Sequence, residues 1–387
     1  MPAAMADPNI PQTWDIFCRV IDNFGDAGVC WRLARLLRHE HGLDVRLWID
    51  SPRTLQALHP ALDPHSARQT CDGISVCSWP EAGLPEKPAA VVVEAFGCGL
   101  PGEWVARMAH AQPPPLWIVL EYLSAEPWVD SHHGLSSPHP QLSLPRYFFF
   151  PGFTAASGGL LREADLLARR DAFDAAARAG FWRQSGFRDG GALTLSLFAY
   201  ADAPLGSLLG ALAAGAEPTV VALPEGVLWP AARAFFGVDS LAAGQSLRRG
   251  ALELRLLPFL PQARYDELLW ACDLNFVRGE DSFVRAQWAA RPLVWQPYRQ
   301  DDGAHLRKLE AFLVRHGAGL NSAALTAYRD FMARWNGAEA AEFRAAWPAL
   351  RACLDELAGH ARAWAAHLST QGELAAKLAD FARSRVK

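Results

Sequence analysis

The longest apolar stretches of the chain fall well short of the roughly 20 residues that cross a bilayer as a helix, which excludes a helical membrane span. A signal peptide is not expected either. Met1 to Gln12 is rich in Pro and Ala and lacks a basic segment followed by an apolar one, so a loose tail is expected there. No C-x-x-C pair occurs. The seven cysteines, Cys18, Cys30, Cys71, Cys77, Cys98, Cys272 and Cys353, are odd in number and scattered. That pattern points to reduced core thiols in a cytoplasmic protein, not to disulfides, a metal centre or a catalytic thiol. Neither charge sign dominates, with a net charge of −4, so a general nucleic-acid or membrane-surface binder is not expected. What is present is apolar material: 51% of the 387 residues are hydrophobic and 20% charged, enough for two globular domains, or one large one, with a real core. Most of the 15 tryptophans fall in apolar runs and are assigned to that core.

Apolar runs alternate with amphipathic stretches. Trp14 to Val20, Asp44 to Ile49, Ile74 to Trp79, Ala90 to Phe96 and Leu116 to Leu120 read as strands, with helices at Val29 to His41 and Pro101 to His110. A stretch dense in Pro, Gly and Ser, Ser131 to Gly159, interrupts the pattern. Its histidines, His132, His133 and His139, with Asp130, are read as an exposed loop in preference to a metal site. A helical stretch, Leu160 to Gln184, and a Gly-rich break at Gly186 to Gly191 come next. Five further strands follow at Leu193 to Phe198, Thr219 to Leu223, Leu252 to Leu257, Leu274 to Val277 and Pro292 to Trp295. Helices fall between them at Leu205 to Ala214, Pro230 to Phe236, Tyr265 to Cys272 and Ser282 to Ala290, and from about Ala338 the chain is helical. Such alternation predicts an α/β protein of two doubly wound, Rossmann-like domains facing across a cleft, with a C-terminal helical segment. The expected division is a tail at 1–12, a first domain at 13–185, a second at 186–360, and a helix at 361–387 packing back on the first.

Two turns at the carboxyl edges of these sheets carry chemistry. Val20-Ile-Asp-Asn-Phe-Gly-Asp-Ala-Gly28 follows the first strand, where a dinucleotide fold binds phosphate, but it lacks the full G-x-G-x-x-G pattern. It offers instead two carboxylates, Asp22 and Asp26, able to serve as general base and substrate clamp. Alternatively, Asp26 caps the helix and Asp22 ends a turn. Glu94 and Glu121 end two more strands, and acid at several strand ends suits a cationic substrate group or satisfies nearby backbone N–H groups. In the second half, Arg278-Gly-Glu-Asp-Ser-Phe-Val284 joins a buried strand to a helix whose free N–H groups suit a diphosphate. There Asp281 or Ser282 is also a candidate cap. Phe198, Tyr200 and Phe259 at strand ends are base-stacking candidates or core, Gln262 can read a pyrimidine edge, and Arg278 and Tyr298 can reach phosphate oxygens. A base platform, a helix N-terminus and an acidic loop describe a nucleotide-sugar transferase of the two-Rossmann (GT-B) kind.

The segment from Trp14 to Arg35 resembles the opening of the elongation factor P arginine rhamnosyltransferases (EarP). Glu121 to Glu126, Pro258 to Gln262 and Arg278 to Trp288 are similar to that family too, and the likeness runs from Trp14 almost to the end. It implies an inverting GT-B enzyme that needs no metal or cofactor. Such enzymes move L-rhamnose from dTDP-β-L-rhamnose to an arginine of translation elongation factor P, relieving ribosome stalling at proline runs. The first domain would then bind the acceptor and the second the nucleotide sugar. By the resemblance Asp22, Asp26 and Glu280 are the catalytic carboxylates. Donor contacts are Asn23, Phe24 and Gly25 in the acidic turn; Phe198, Tyr200, Phe259 and Gln262 on the thymidine side; and Arg278, Asp281, Ser282 and Tyr298 around the diphosphate. Two other readings stay open: a GT-B enzyme with another sugar donor and a small acceptor, and a nucleotide-binding regulator without catalysis.

Overall fold

The computed structural model describes residues 7, 9–22, 24–79, 82–139, 142–337 and 342–386. Short runs rich in Val, Leu and Ile form its central strands. Val91–Ala95 and Leu116–Leu120 are buried at every position, the mark of parallel strands covered on both faces. In chain order the first elements are β1 (Thr13–Cys18), α1 (Phe24–His39), β2 (Asp44–Ile49), α2 (Pro52–Leu58), β3 (Arg68–Cys71), β4 (Ile74–Ser78), β5 (Val91–Ala95), α3 (Gly102–His110), β6 (Leu116–Leu120), α4 (Trp128–His132), β7 (Ser136–Pro138) and β8 (Pro145–Phe149). Next come α5 (Leu166–Asp171), α6 (Ala175–Gln184), β9 (Leu193–Leu197), α7 (Leu205–Ala213), β10 (Thr219–Pro224), α8 (Trp229–Phe236), β11 (Ser246–Arg249), β12 (Leu252–Leu257), α9 (Gln262–Ala271), β13 (Leu274–Arg278), α10 (Asp281–Trp288) and β14 (Leu293–Gln296). The chain ends with α11 (Ala304–His316), α12 (Ser322–Asn336), α13 (Ala346–Ala352), α14 (Leu354–Ser369) and α15 (Leu374–Arg385).

Two compact units result: residues 1–164 with 368–387, and residues 165–367. In the first, the strand order is β3-β4-β2-β1-β5-β6-β8-β7, parallel except at the two edges, where β3 and β7 pair antiparallel. The second has the order β11-β12-β10-β9-β13-β14, again parallel apart from the edge strand β11. Both sheets are doubly wound. Successive strands step outward from β1 and β9, then return to their other side at β5 and β13. The carboxyl ends of β1, β5, β9 and β13 therefore lie at the two topological switch points, where folds of this kind bind ligands.

Packing explains where the units divide. Phe181 and Trp182 of α6 lie in one buried cluster with Leu257, Leu268 and Cys272, and Arg170 of α5 donates to the Trp288 carbonyl at 2.9 Å. The helical stretch expected at Leu160 to Gln184 holds two helices, α5 and α6, and its first residues are not helical. Leu160 instead pairs as an isolated bridge with Glu373, and α6 starts afresh where Asp174 caps it by accepting from Ala177 N–H at 2.9 Å. Tryptophans fill the first core as anticipated: Trp48, Trp79 and Trp104 surround Phe17, which stacks on Trp48 at 5.6 Å, and Trp117 belongs to the same cluster. The Pro- and Ser-dense segment after Ser131 proves not to be plain loop. It holds β7 and β8, which complete the sheet edge. His133 accepts from Phe150 N–H and Asp130 from the Thr154 hydroxyl, so these side chains tie the segment together. All seven cysteines are free thiols, five of them buried. Among the described residues, no helix is long and apolar enough to cross a membrane.

Candidate functional site

At the first switch point, α1 begins at Phe24, five residues before the expected start at Val29. Phe24, Gly25 and Asp26 are therefore the first helical turn and not loop, while Asn23 lies outside the described residues. The Asp26 carboxylate reaches back and accepts from the N–H groups of Ile21 and Asp22 at 2.7 and 2.8 Å. This is half of a capping box, with acid in the first turn where the helix dipole favours it. Asp22 is buried too, and its carbonyl accepts from Gly25 N–H at 2.7 Å. Glycine at 25 has a specific reason: a Cβ there would sit 2.6 Å from Asp22 Oδ2. Burial raises the Asp26 pKa above the usual carboxylate range, opposed by the two backbone N–H groups and by a hydrogen bond from Tyr122.

Tyr122 and Phe96 were not singled out from the sequence. Phe96 follows β5 with a left-handed φ of 56°, a conformation that strains a bulky residue, and its ring stacks on Tyr122 at 4.4 Å. The outcome is a chain from strained backbone to ring to the Asp26 carboxyl. Glu94 belongs elsewhere, since its two oxygens accept from Gly99 N–H and Trp117 Nε1, both at 3.0 Å. Its acid satisfies local donors.

At the second switch point, Gly279, with φ of 57°, makes the tight turn after β13. Glu280 occupies the N-cap of α10 without a side-chain cap bond, so neither Asp281 nor Ser282 is the cap. Ser282 instead binds back to the strand end: its hydroxyl accepts from Arg278 N–H at 3.0 Å and donates to the Arg278 carbonyl at 2.6 Å. The Arg278 guanidinium lies 4.5 Å from the Phe198 ring and 4.6 Å from the Tyr200 ring, and Tyr298, 45% exposed, meets Tyr200 edge-on at 5.7 Å. Tyr265 packs edge-on against Phe198 at 5.8 Å. Gln296 fixes the turn after β9 by accepting from Tyr200 N–H at 2.8 Å. Gln262 is the first residue of α9 and donates to Asp281 Oδ2 at 3.0 Å, while Phe259 is half-buried in the connection before it. The structure thus gathers Phe198, Tyr200, Gln262, Arg278, Asp281, Ser282 and Tyr298 around one strand-helix turn.

One metal-capable group appears among the described residues: His59, Cys71 and Asp72, with ligand atoms within 4.8 Å of one another. Asp72 is paired with Arg35 at 3.4 Å. Because β3 pairs antiparallel with β4, the turn holding Asp72 lies at the amino edge of the sheet, opposite the acidic turn.

Two doubly wound sheets, each with a strand-to-helix turn at its switch point, match the GT-B fold of glycosyltransferases. A glycosyltransferase structure from Rickettsia africae has the same fold, with a TM-score of 0.51 at 7% identity over 96% of each chain. The profile of the elongation factor P (EF-P) rhamnosyltransferase EarP family matches residues 14–383, and the chain belongs to that family. A protein-arginine rhamnosyltransferase of Pseudomonas putida is 47% identical over 379 residues, 96% of this chain and 99% of its own. A solved structure described as the basis for EarP-mediated arginine glycosylation of translation elongation factor EF-P aligns with a TM-score of 0.69 at 37% identity. That alignment covers 97% of this chain and 99% of the other.

Proposed function

We propose that this chain transfers L-rhamnose from dTDP-β-L-rhamnose to an arginine side chain of elongation factor P in the cytoplasm, with inversion and without a metal ion. The observation that carries this reading is the match of the EF-P rhamnosyltransferase family over residues 14–383, joined to acid at one switch point and an anion-type turn at the other. In this reading the first unit handles the acceptor and the second the donor.

A guanidinium has a pKa above about 12 and no lone pair ready to attack. A carboxylate with a reference pKa of about 4 cannot deprotonate it beforehand. Proton removal therefore accompanies attack. Asp22 takes one proton from the guanidinium as its nitrogen forms a bond to the anomeric carbon. The carbon–oxygen bond to the diphosphate breaks with its electron pair, and dTDP leaves. Asp26 has Oδ2 engaged by the Ile21 and Asp22 amides, so its part is to hold the acidic turn and add negative charge for the cation. Glu280 supplies the third carboxylate, on the donor side. Arg278, braced by Phe198 and Tyr200, and the α10 start with Ser282 stabilise the departing charge. Phe259 stacks on the base, Gln262 reads its edge, and Asp281 and Tyr298 complete the donor contacts.

Asp22→Asn should leave dTDP affinity within about twofold and lower transfer by about 10²–10⁴. Phe259→Ala should instead weaken donor binding by about 10-fold or more. Turnover by Asp22→Asn at the wild-type rate would remove the base assignment. An α-linked product by NMR, formed at the same rate in EDTA, is expected; a β-linked product or loss of activity with chelator would overturn inversion or metal independence.

A further inference from the structure

We propose that Asp266 and Arg285 are positioning residues that set the orientation of the Gln262 side-chain amide. Through it they select a donor whose base carries an imide N–H, as thymine and uracil do, over cytosine. The inference rests on the reading of Gln262 as a base contact. Gln262 and Asp266 stand one turn apart on α9, and Asp281 and Arg285 one turn apart on α10, so each pair shares a helix face. The two faces meet in register. Gln262 Nε2 donates to Asp281 Oδ2 at 3.0 Å, and Arg285 Nε donates to the same oxygen at 3.1 Å. Arg285 Nη1 lies 3.0 Å from both oxygens of Asp266. All four side chains are buried: Asp266 is 3% exposed, Arg285 4%, Gln262 6% and Asp281 8%.

Donor and acceptor roles fix the direction of the chain. A guanidinium only donates, so the Asp281 oxygen that meets it is an acceptor, and Gln262 must turn its NH2 towards that oxygen. The Gln262 carbonyl is then directed to the opposite side as an acceptor. Thymine and uracil present N3–H to such a group. Cytosine presents a bare N3, setting one lone pair against another. Asp266 matters because its two oxygens hold the guanidinium plane, which leaves Nε aimed at Asp281. Weakening either residue frees the Asp281 carboxylate to turn and the Gln262 amide to flip. Neither Asp266 nor Arg285 needs to touch the donor for this.

The test measures dissociation constants of the full chain for dTDP and dCDP by calorimetry, in wild type, Gln262→Ala, Asp266→Asn and Arg285→Lys. Wild type should prefer dTDP by about 100-fold or more, as expected where a site is built to hydrogen-bond its ligand. Folded Asp266→Asn and Arg285→Lys should lose about 10-fold of that preference, through weaker dTDP binding. Their donor KM should rise with kcat within about threefold, since the reacting groups are untouched. Folded variants that keep the wild-type ratio while merely melting earlier would overturn the positioning role. Gln262→Ala separates the two levels. If its preference survives, the base reading fails and this inference with it. Should Gln262→Ala lose the preference while Asp266→Asn and Arg285→Lys keep it, the base reading stands and the positioning role is wrong. If the single variants do not fold, the Asp266→Leu/Arg285→Met pair removes both charges together and carries the same comparison.

Discussion

A methyl group at Gly25 would lie 2.6 Å from Asp22 Oδ2, and that oxygen is the movable end of a side chain, not backbone. Gly25→Ala should therefore fold normally and displace only the carboxylate. The expected result is kcat lowered by about 10–100-fold and Tm within a few degrees, read by steady-state kinetics and thermal melts. Tyr122 acts on the other acid. Its hydrogen bond holds the Asp26 pKa down against burial, which pushes it up. Tyr122→Phe keeps the ring stacked on Phe96 and removes the hydroxyl, so the Asp26 pKa must rise further. Protonated Asp26 cannot hold the acidic turn as well, and the acidic limb of the pH–rate profile should move to higher pH. An unchanged profile would mean that Tyr122 only packs.

At the scale of single elements, α15 depends on its first residue contacts. Glu373 caps it, accepting from the Ala375 and Ala376 N–H groups at 2.9 and 2.8 Å, and burial raises its pKa to about 7. The sign follows directly. The folded pKa lies above the ordinary carboxylate value, so the folded state holds the proton more tightly than the unfolded chain. This contribution to stability is fully present below the unfolded pKa of about 4.5 and is lost as pH rises through about 7. The slope in between is at most about 1.4 kcal/mol per pH unit. Glu373→Gln, which keeps an acceptor without the charge, should flatten the dependence and raise Tm at pH 8 relative to wild type. Equal Tm–pH curves for the two proteins would contradict the burial argument. Helix α1 shows a different lesson. Gly25 and Gly28 argue for loop on propensity alone, yet tertiary packing and the Asp26 back-bond carry the helix through them to Phe24.

For the whole molecule, the central parallel strands were legible because strands buried on both faces read as apolar runs, as in Val91–Ala95 and Leu116–Leu120. The three antiparallel edge strands gave no such signal, unlike the apolar, buried edge strand β14. Arg68–Cys71, Ser136–Pro138 and Ser246–Arg249 are polar, pair with one neighbour each and passed as loop. The switch-point turns were legible for the same reason as the central strands, since each starts where an apolar run ends. What holds those turns in shape was not. Phe96, Tyr122, Asp266 and Arg285 act through contacts between elements, and sequence spacing carries no record of such contacts. The proposal that joins both units into one activity is tested most directly by intact mass of elongation factor P after incubation with this protein and dTDP-β-L-rhamnose. A gain of one deoxyhexose, mapped by fragmentation to a single arginine, is the expected result. An unchanged mass, with dTDP still bound by the protein, would contradict it.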